Sequence, residues 1–213
     1  MASIFIGKRV SSMADQRAMG EKESWPTHMS QLIRERRTIR SFAEHPLSQE
    51  IVIERLQAAA QSVFNEKGEL PCRFVYIASR EAKEKAVSLI MNVYAEHKLY
   101  KWLPSKVGQM MAERIISIPA FLVVVQEMAE SEEKCDRDYA SICAMLQSFA
   151  LLAWDCGIGL VWNTEPYMQK QSFATDMGLR QGERIVTIMF MGNYERVPKT
   201  KQRTPVIKKI SFL

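Results

Sequence analysis

From Met29 onward the chain alternates helical and strand-like apolar patterns, whereas Met1 to His28 shows no sustained apolar period. The first 28 residues are therefore read as an extension and 29–213 as a single domain. Ser30 can cap a first helix running to about Arg37, with Leu32 and Ile33 facing inward. His45-Pro46-Leu47-Ser48 reads as a turn and cap before a second helix, in which Ile51, Ile53, Leu56, Ala59, Ala60 and Val63 form an apolar stripe ending near Phe64. A loop from Asn65 to Pro71 leads to a short buried strand, Phe74 to Ile77, and a helix from about Arg80 to His97. Tyr100 to Ser117 is expected to be helical in part.

Pro119 introduces the unbroken apolar run Phe121 to Val125, which suits a strand covered on both faces. The acidic stretch Glu127 to Asp138 reads as a solvated loop. Tyr139 to Trp154 is nearly all apolar or small, which predicts a central, enclosed helix stopping at Gly157. Leu160 to Trp162 is a short strand, Gln169 to Met177 a short helix ended by Gly178, and Ile185 to Met191 another buried strand. Val206-Ile207 and Ile210-Ser211-Phe212 give a basic tail an apolar end that needs something to pack on. Four or five strands among several helices, without regular βαβ alternation, place the fold in the α+β class.

Composition changes this picture little. Hydrophobic residues make up 47% and charged residues 25% of 213 residues, which fits a compact domain with a real core. No apolar run approaches the roughly 20 residues of a membrane-spanning helix. Residues 1–27 carry Asp15, Glu21 and Glu23 and have no continuous apolar stretch, so they read neither as a secretory signal nor as a transit peptide. A cytoplasmic protein is expected. Cys72, Cys135, Cys143 and Cys156 show no metal-ligand spacing and read as reduced thiols, Cys143 and Cys156 as small hydrophobes. With His28, His45 and His97 as the only histidines, neither a metal cluster nor a histidine triad suggests itself.

Charge is more informative. The excess is 29 basic minus 24 acidic residues, or +5, and the segment after Glu195 carries Arg196, Lys199, Lys201, Arg203, Lys208 and Lys209 with no acid. A second concentration, Arg34, Arg36, Arg37 and Arg40 against Glu35, lies near the start. Two local basic sites are not the broad stripe of a duplex-binding protein, so neither nucleic acid nor membrane is an expected partner. Arg36, Arg37 and Arg40 surround the hydroxyl of Thr38, and planar donors with a short donor suit a phosphate monoester.

Gly157-Ile158-Gly159 opens like a dinucleotide fingerprint. Position 162 is Trp where a Gly belongs, and the motif follows a helix instead of a strand, so Rossmann binding is rejected. No P-loop run is present. The pairs Glu132 and Glu133, and Asp136 and Asp138, fall in the acidic stretch and read as a solvated face.

What remains is an ordered constellation: Arg36-Arg37-Thr38-Ile39-Arg40-Ser41-Phe42, then Ser62-Val63-Phe64-Asn65, then Gly157-Ile158-Gly159-Leu160-Val161-Trp162, and finally Lys201-Gln202-Arg203. In order and approximate spacing, from about Met29 to the C-terminus, it resembles the nitroreductase family of FMN-dependent oxidoreductases, and within it the minimal, short-chain branch. The resemblance implies a three-layer fold with a central, mainly antiparallel sheet flanked by helices. It implies a homodimer that exchanges C-terminal tails and binds FMN at the subunit interface. On the same ground, Arg36, Arg37, Thr38 and Arg40 match the first phosphate and ribityl segment, and Lys201 and Arg203 the second phosphate-binding pair. Asn65, with Ser62, matches residues that meet the flavin ring from the partner chain. Trp162, Asn163 and Thr164 match the segment lying against the isoalloxazine. Gln61 stands where the family usually has Pro, about three extra residues separate Asn65 from Pro71, and Cys72 replaces a Trp.

The implied activity is ping-pong hydride transfer from NADH or NADPH through flavin N5 to a nitroaromatic, quinone or similar small-molecule acceptor. The cofactor carries that chemistry, so no protein acid, base or nucleophile is obligatory. A flavin-binding protein with little turnover, or an FMN-dependent dehydrogenase of another small molecule, stays open.

Overall fold

The computed structural model describes residues 28–61, 63, 69–96, 104–200 and 203–212. The chain divides into two compact units, Met1–Glu35 and Arg36–Leu213. Of the first, the described part is helix α1 (His28–Glu35), in which Leu32 is buried and Ile33 is exposed. The expected inward pair is thus reduced to one residue, because adjacent positions sit about 100° apart around a helix.

The second unit is built on a four-stranded sheet in the order β1-β2-β4-β3, every neighbouring pair antiparallel. The strands are β1 (Cys72–Ile77), β2 (Ala120–Glu127), β3 (Ile158–Asn163) and β4 (Glu183–Asn193). β2 and β4 are central, and all of β2 except Glu127 is buried, as its unbroken apolar run requires. Alternation sends Leu122, Val124, Met189 and Met191 to one face. There they meet Val52 and Ala59 of α2 (Gln49–Ala60) and Ile142, Met145 and Phe149 of α5 (Glu132–Asp155). Phe121, Val123, Ile188 and Phe190 go to the other face. They pack with Val87 and Ile90 of α3 (Arg80–Glu96), with Phe173 of α6 (Gln171–Asp176), and with Ala112 and Ile115 of α4 (Ser105–Ile116). Helices, sheet and helices make the three layers. A bulge at Val186, between the partners of Val124 and Val125, shifts the alternation of β4, so Val186 shares a core with Met189 and Met191 while Ile185 shares the other with Ile188 and Phe190.

Three expectations are corrected. The acidic stretch is not a loop throughout: helix α5 begins at Glu132, where the Ser131 hydroxyl accepts from the Lys134 N–H and acidic residues occupy the first turn. Asp138 is buried there against Lys134, and Glu133 pairs with Arg137. In α2, Ser48 caps as expected, yet Ile51 and Ile53 are exposed and Val52 is core. The stripe 52, 56, 59, 63 is the better helical period, and it leaves the two isoleucines flanking it. Cys156 is exposed at the end of α5, where Gly157 at φ 75° turns the chain into β3. Among the described residues no helix is long and apolar enough to cross a membrane.

Candidate functional site

Residues 36–43 run along the outer edge of β3. Thr38 forms a parallel bridge with Leu160, where the Ile39 N–H donates to the Leu160 carbonyl at 3.0 Å, and the Ala43 N–H donates to the Asn193 carbonyl at 2.8 Å. The close approach depends on two glycines directly opposite each other, Gly159 on β3 and Gly192 on β4. A Cβ on Gly159 would lie 2.6 Å from Ile39 Cγ1 and 2.9 Å from Tyr194 Cδ1. One on Gly192 would lie 2.7 Å from Pro119 Cγ and 3.2 Å from Phe42 Cβ. The paired glycines are a notch that admits the arm. Ile39, 1% exposed, is its anchor.

The arm carries the cations. Arg36 is half-buried, and its pKa is lowered first by burial and then by the Arg203 and Arg37 charges. An arginine stays protonated under such pressure, so positive charge is concentrated here at neutral pH. Arg37 donates from Nη1 to the Arg36 carbonyl at 2.9 Å and from Nη2 to Thr200 Oγ1 at 2.6 Å, which ties the arm to the chain after β4. Thr38 is half-buried, and Arg40 and Arg203 are exposed. Four of the expected phosphate residues thus share the arm, and the charge of a fifth, Arg203, reaches them. Lys201, Ser62 and Asn65 lie outside the described residues.

Trp162, Asn163 and Thr164 follow the bridge. Because Leu160 turns its carbonyl to the arm, ladder alternation turns the backbone groups of Trp162 to the same outer edge. The Trp162 side chain is half-buried against the α2 and α5 side of the sheet, and Thr164 is exposed. Asn163 donates from Nδ2 to Tyr167 Oη at 2.8 Å, and its carbonyl accepts from Thr187 Oγ1 at 3.0 Å. Cations, an outward backbone edge and a tethered carboxamide can hold an anion joined to a planar polar ring. Gly192, Thr200, Tyr167 and Thr187 were not singled out from sequence. Gly192 alone carried a local signal, as a glycine inside an apolar strand.

Residues 33–193 match the model of the nitroreductase family. The chain belongs to the nitroreductase family. The matched span begins just before the arginine arm and ends with β4, so Arg203 and the tail lie beyond it. A curated relative, "Putative NAD(P)H nitroreductase YfhC" of Bacillus subtilis (strain 168), is 29% identical over 177 residues, 82% of this chain and 89% of its own length. A nitroreductase-like family protein from Bacillus cereus superposes with a TM-score of 0.78 at 30% identity, over 88% of this chain and 96% of that one. A protein of Desulfovibrio desulfuricans solved in complex with FMN shares the fold, at a TM-score of 0.62 and 19% identity, over 84% of this chain and 93% of that one. As a member of this family the chain is an oxidoreductase.

Proposed function

We propose that this nitroreductase-family enzyme binds FMN and uses NADH or NADPH to reduce a nitroaromatic, quinone or related small acceptor. The observation that carries the reading is the convergence of the Arg37 and Arg203 charges on half-buried Arg36, on an arm seated in the Gly159–Gly192 notch. A phosphate monoester is close to doubly charged at neutral pH, and several guanidinium groups meet that charge with charge-assisted bonds. The residues present therefore fit the phosphate end of FMN. Arg36, Arg37, Thr38, Arg40 and Arg203 would hold the phosphate and ribityl chain, with Lys201 joining them. Trp162, Asn163 and Thr164 would lie along the ring, and Ser62 and Asn65 would reach it from a second subunit. The FMN complex of the Desulfovibrio protein and the NAD(P)H in the Bacillus subtilis relative's name support the same assignment.

Bound FMN would supply the redox chemistry, its N5 taking hydride from the nicotinamide and passing it to the acceptor. The chain's own work is to neutralise the phosphate, present backbone groups at the β3 edge and fix the ring's orientation. We further propose that residues 29–213 form the FMN-binding domain and that two copies exchange C-terminal tails. Val206, Ile207, Ile210 and Phe212 are exposed, and the sheet order leaves β1 as an outer edge. Beside β1 lies a groove of about 290 Å³ lined by Val75, Ile77, Leu89 and Met177, a fit place for apolar side chains. Deleting residues 204–213 should convert a dimer to a monomer by light scattering; a dimer that survives the deletion contradicts the exchange.

The enzymatic reading is tested by the visible spectrum of protein purified without added cofactor, followed by anaerobic NADPH or NADH. A yellow protein that bleaches and then recovers its colour with a quinone is expected. A colourless protein that takes up no added FMN refutes the reading. A bound flavin that neither nicotinamide bleaches would favour a binding protein instead.

A further inference from the structure

Asn163 ends β3 and is held through both its side chain and its backbone. The amide donates to Tyr167, Thr187 donates to its carbonyl, and its Cα pairs with Ile188. Both hydroxyl partners are sealed in the core, Tyr167 at 4% exposure and Thr187 at 0%. A Phe and a Val would fill those places without the desolvation cost of burying hydroxyls. Tyr94 and Phe173 meet the Tyr167 ring edge to face, at centroid separations of 5.4 and 5.0 Å.

The network also has a direction. Burial raises the pKa of Tyr167, keeping it a neutral phenol; its hydrogen bond with Tyr94 raises it further, while the one from Asn163 lowers it. In geometry, Tyr167 Oη accepts from the Asn163 amide at 2.8 Å and its ring lies edge to face with Tyr94. That bond turns the carboxamide nitrogen inward, toward the buried Tyr167 hydroxyl. Among the described residues nothing donates to Asn163 Oδ1.

We propose that Tyr167, backed by Tyr94 and joined by Thr187 beneath the backbone, is a positioning residue that fixes the Asn163 carboxamide nitrogen-inward. Asn163 Oδ1 is thereby presented as the acceptor for a ring N–H of the flavin. This rests on the FMN reading above and adds to it a specific donor and acceptor and a buried relay that sets them.

The test uses the full-length protein stripped of cofactor and titrated with FMN. Tyr167→Phe, Asn163→Ala and the double variant are read by flavin fluorescence quenching, by the visible spectrum of bound flavin, and by melting without cofactor. Each single change should weaken FMN binding about three- to tenfold, the size of one hydrogen bond, and alter the flavin bands. The double variant should be no worse than Asn163→Ala, because Tyr167 acts through Asn163. Additive losses overturn the proposal. So does a Tyr167→Phe protein that melts earlier yet binds FMN with wild-type affinity and spectrum. Should Tyr167→Phe not fold, Thr187→Val is the second variant, with the same expected direction. If Arg36→Ala/Arg203→Ala strips FMN while Asn163→Ala leaves binding unchanged, the FMN reading stands and this one falls. If the wild-type protein takes up no FMN, both fall.

Discussion

Arg73 and Arg36 are both half-buried arginines, one at β1 and the other on the arm beside β3, and they are treated in opposite ways. Arg73 donates from Nε and Nη2 to the two carboxylate oxygens of Glu183 at 2.7 and 2.6 Å. Glu183 also accepts from the Arg180 N–H at 2.7 Å, and its side chain is 3% exposed. The Arg73 hydrogen bonds hold the Glu183 carboxyl down at about 2. Around Arg36 the neighbours are Arg203 and Arg37, and they press its pKa down as burial does. The first site is complete within the chain and contributes stability. The second sets cation against cation, and like charges gathered in one place favour an incoming anion.

The sharpest way to break this contrast is to remove cations from the second site. Arg36→Ala/Arg203→Ala should weaken FMN binding on the order of a hundredfold or more, the loss of two charge-assisted hydrogen bonds. Arg203→Ala alone should leave the melting temperature close to wild type, because exposed substitutions of this kind seldom matter to stability. Flavin titration and thermal melting read the two effects separately. Unchanged FMN affinity in the double variant would show that this is an ordinary solvated arginine cluster.

Moving the arm should do less. Gly159→Ala places a methyl against Ile39 and Tyr194, and overpacking of this sort costs about 1–3 kcal/mol. Denaturant unfolding should register that loss, and FMN binding should fall with it as the arginines shift. An alanine variant with wild-type stability and affinity would mean the notch does not seat the arm.

The complementary change is Glu183→Gln. It should cost about 1–3 kcal/mol, since it leaves Arg73 without its ionic partner, yet leave FMN affinity unchanged. The sign with pH follows from the depressed carboxyl. Glu183 contributes fully above its ordinary value of 4.5, and the contribution is lost as pH falls toward about 2. Wild-type stability should therefore drop across that window, and the Gln variant should show a shallower acid limb in pH-dependent melting.

Much of this was legible locally. The run Phe121 to Val125 is apolar at every position, so a doubly covered strand needs no knowledge of its neighbours. Ser48 announced a cap, and the arginine arm reads as a candidate anion site because its residues are adjacent in sequence. What escaped was set by partners far along the chain. Gly159 and Gly192 acquire meaning only through their cross-strand register, 33 positions apart, and nothing in either local window pairs them. Thr187 looks like any polar residue in a strand until its hydroxyl is seen on Asn163, and Tyr167 like any core aromatic. The start of α5 has its own local signal, the Ser131 cap and the favourable dipole that acidic residues find at a helix N-terminus, which the run of charge from Glu132 to Asp138 masks.

If the arm site recognises a phosphate, the cofactor's affinity must depend on that group. Parallel titrations of cofactor-free protein with FMN and with riboflavin, identical in ring and ribityl chain but lacking the phosphate, test it most directly. FMN should bind far more tightly than riboflavin, with the preference collapsing in Arg36→Ala/Arg203→Ala. Equal affinities for the two flavins in the wild-type protein would contradict it.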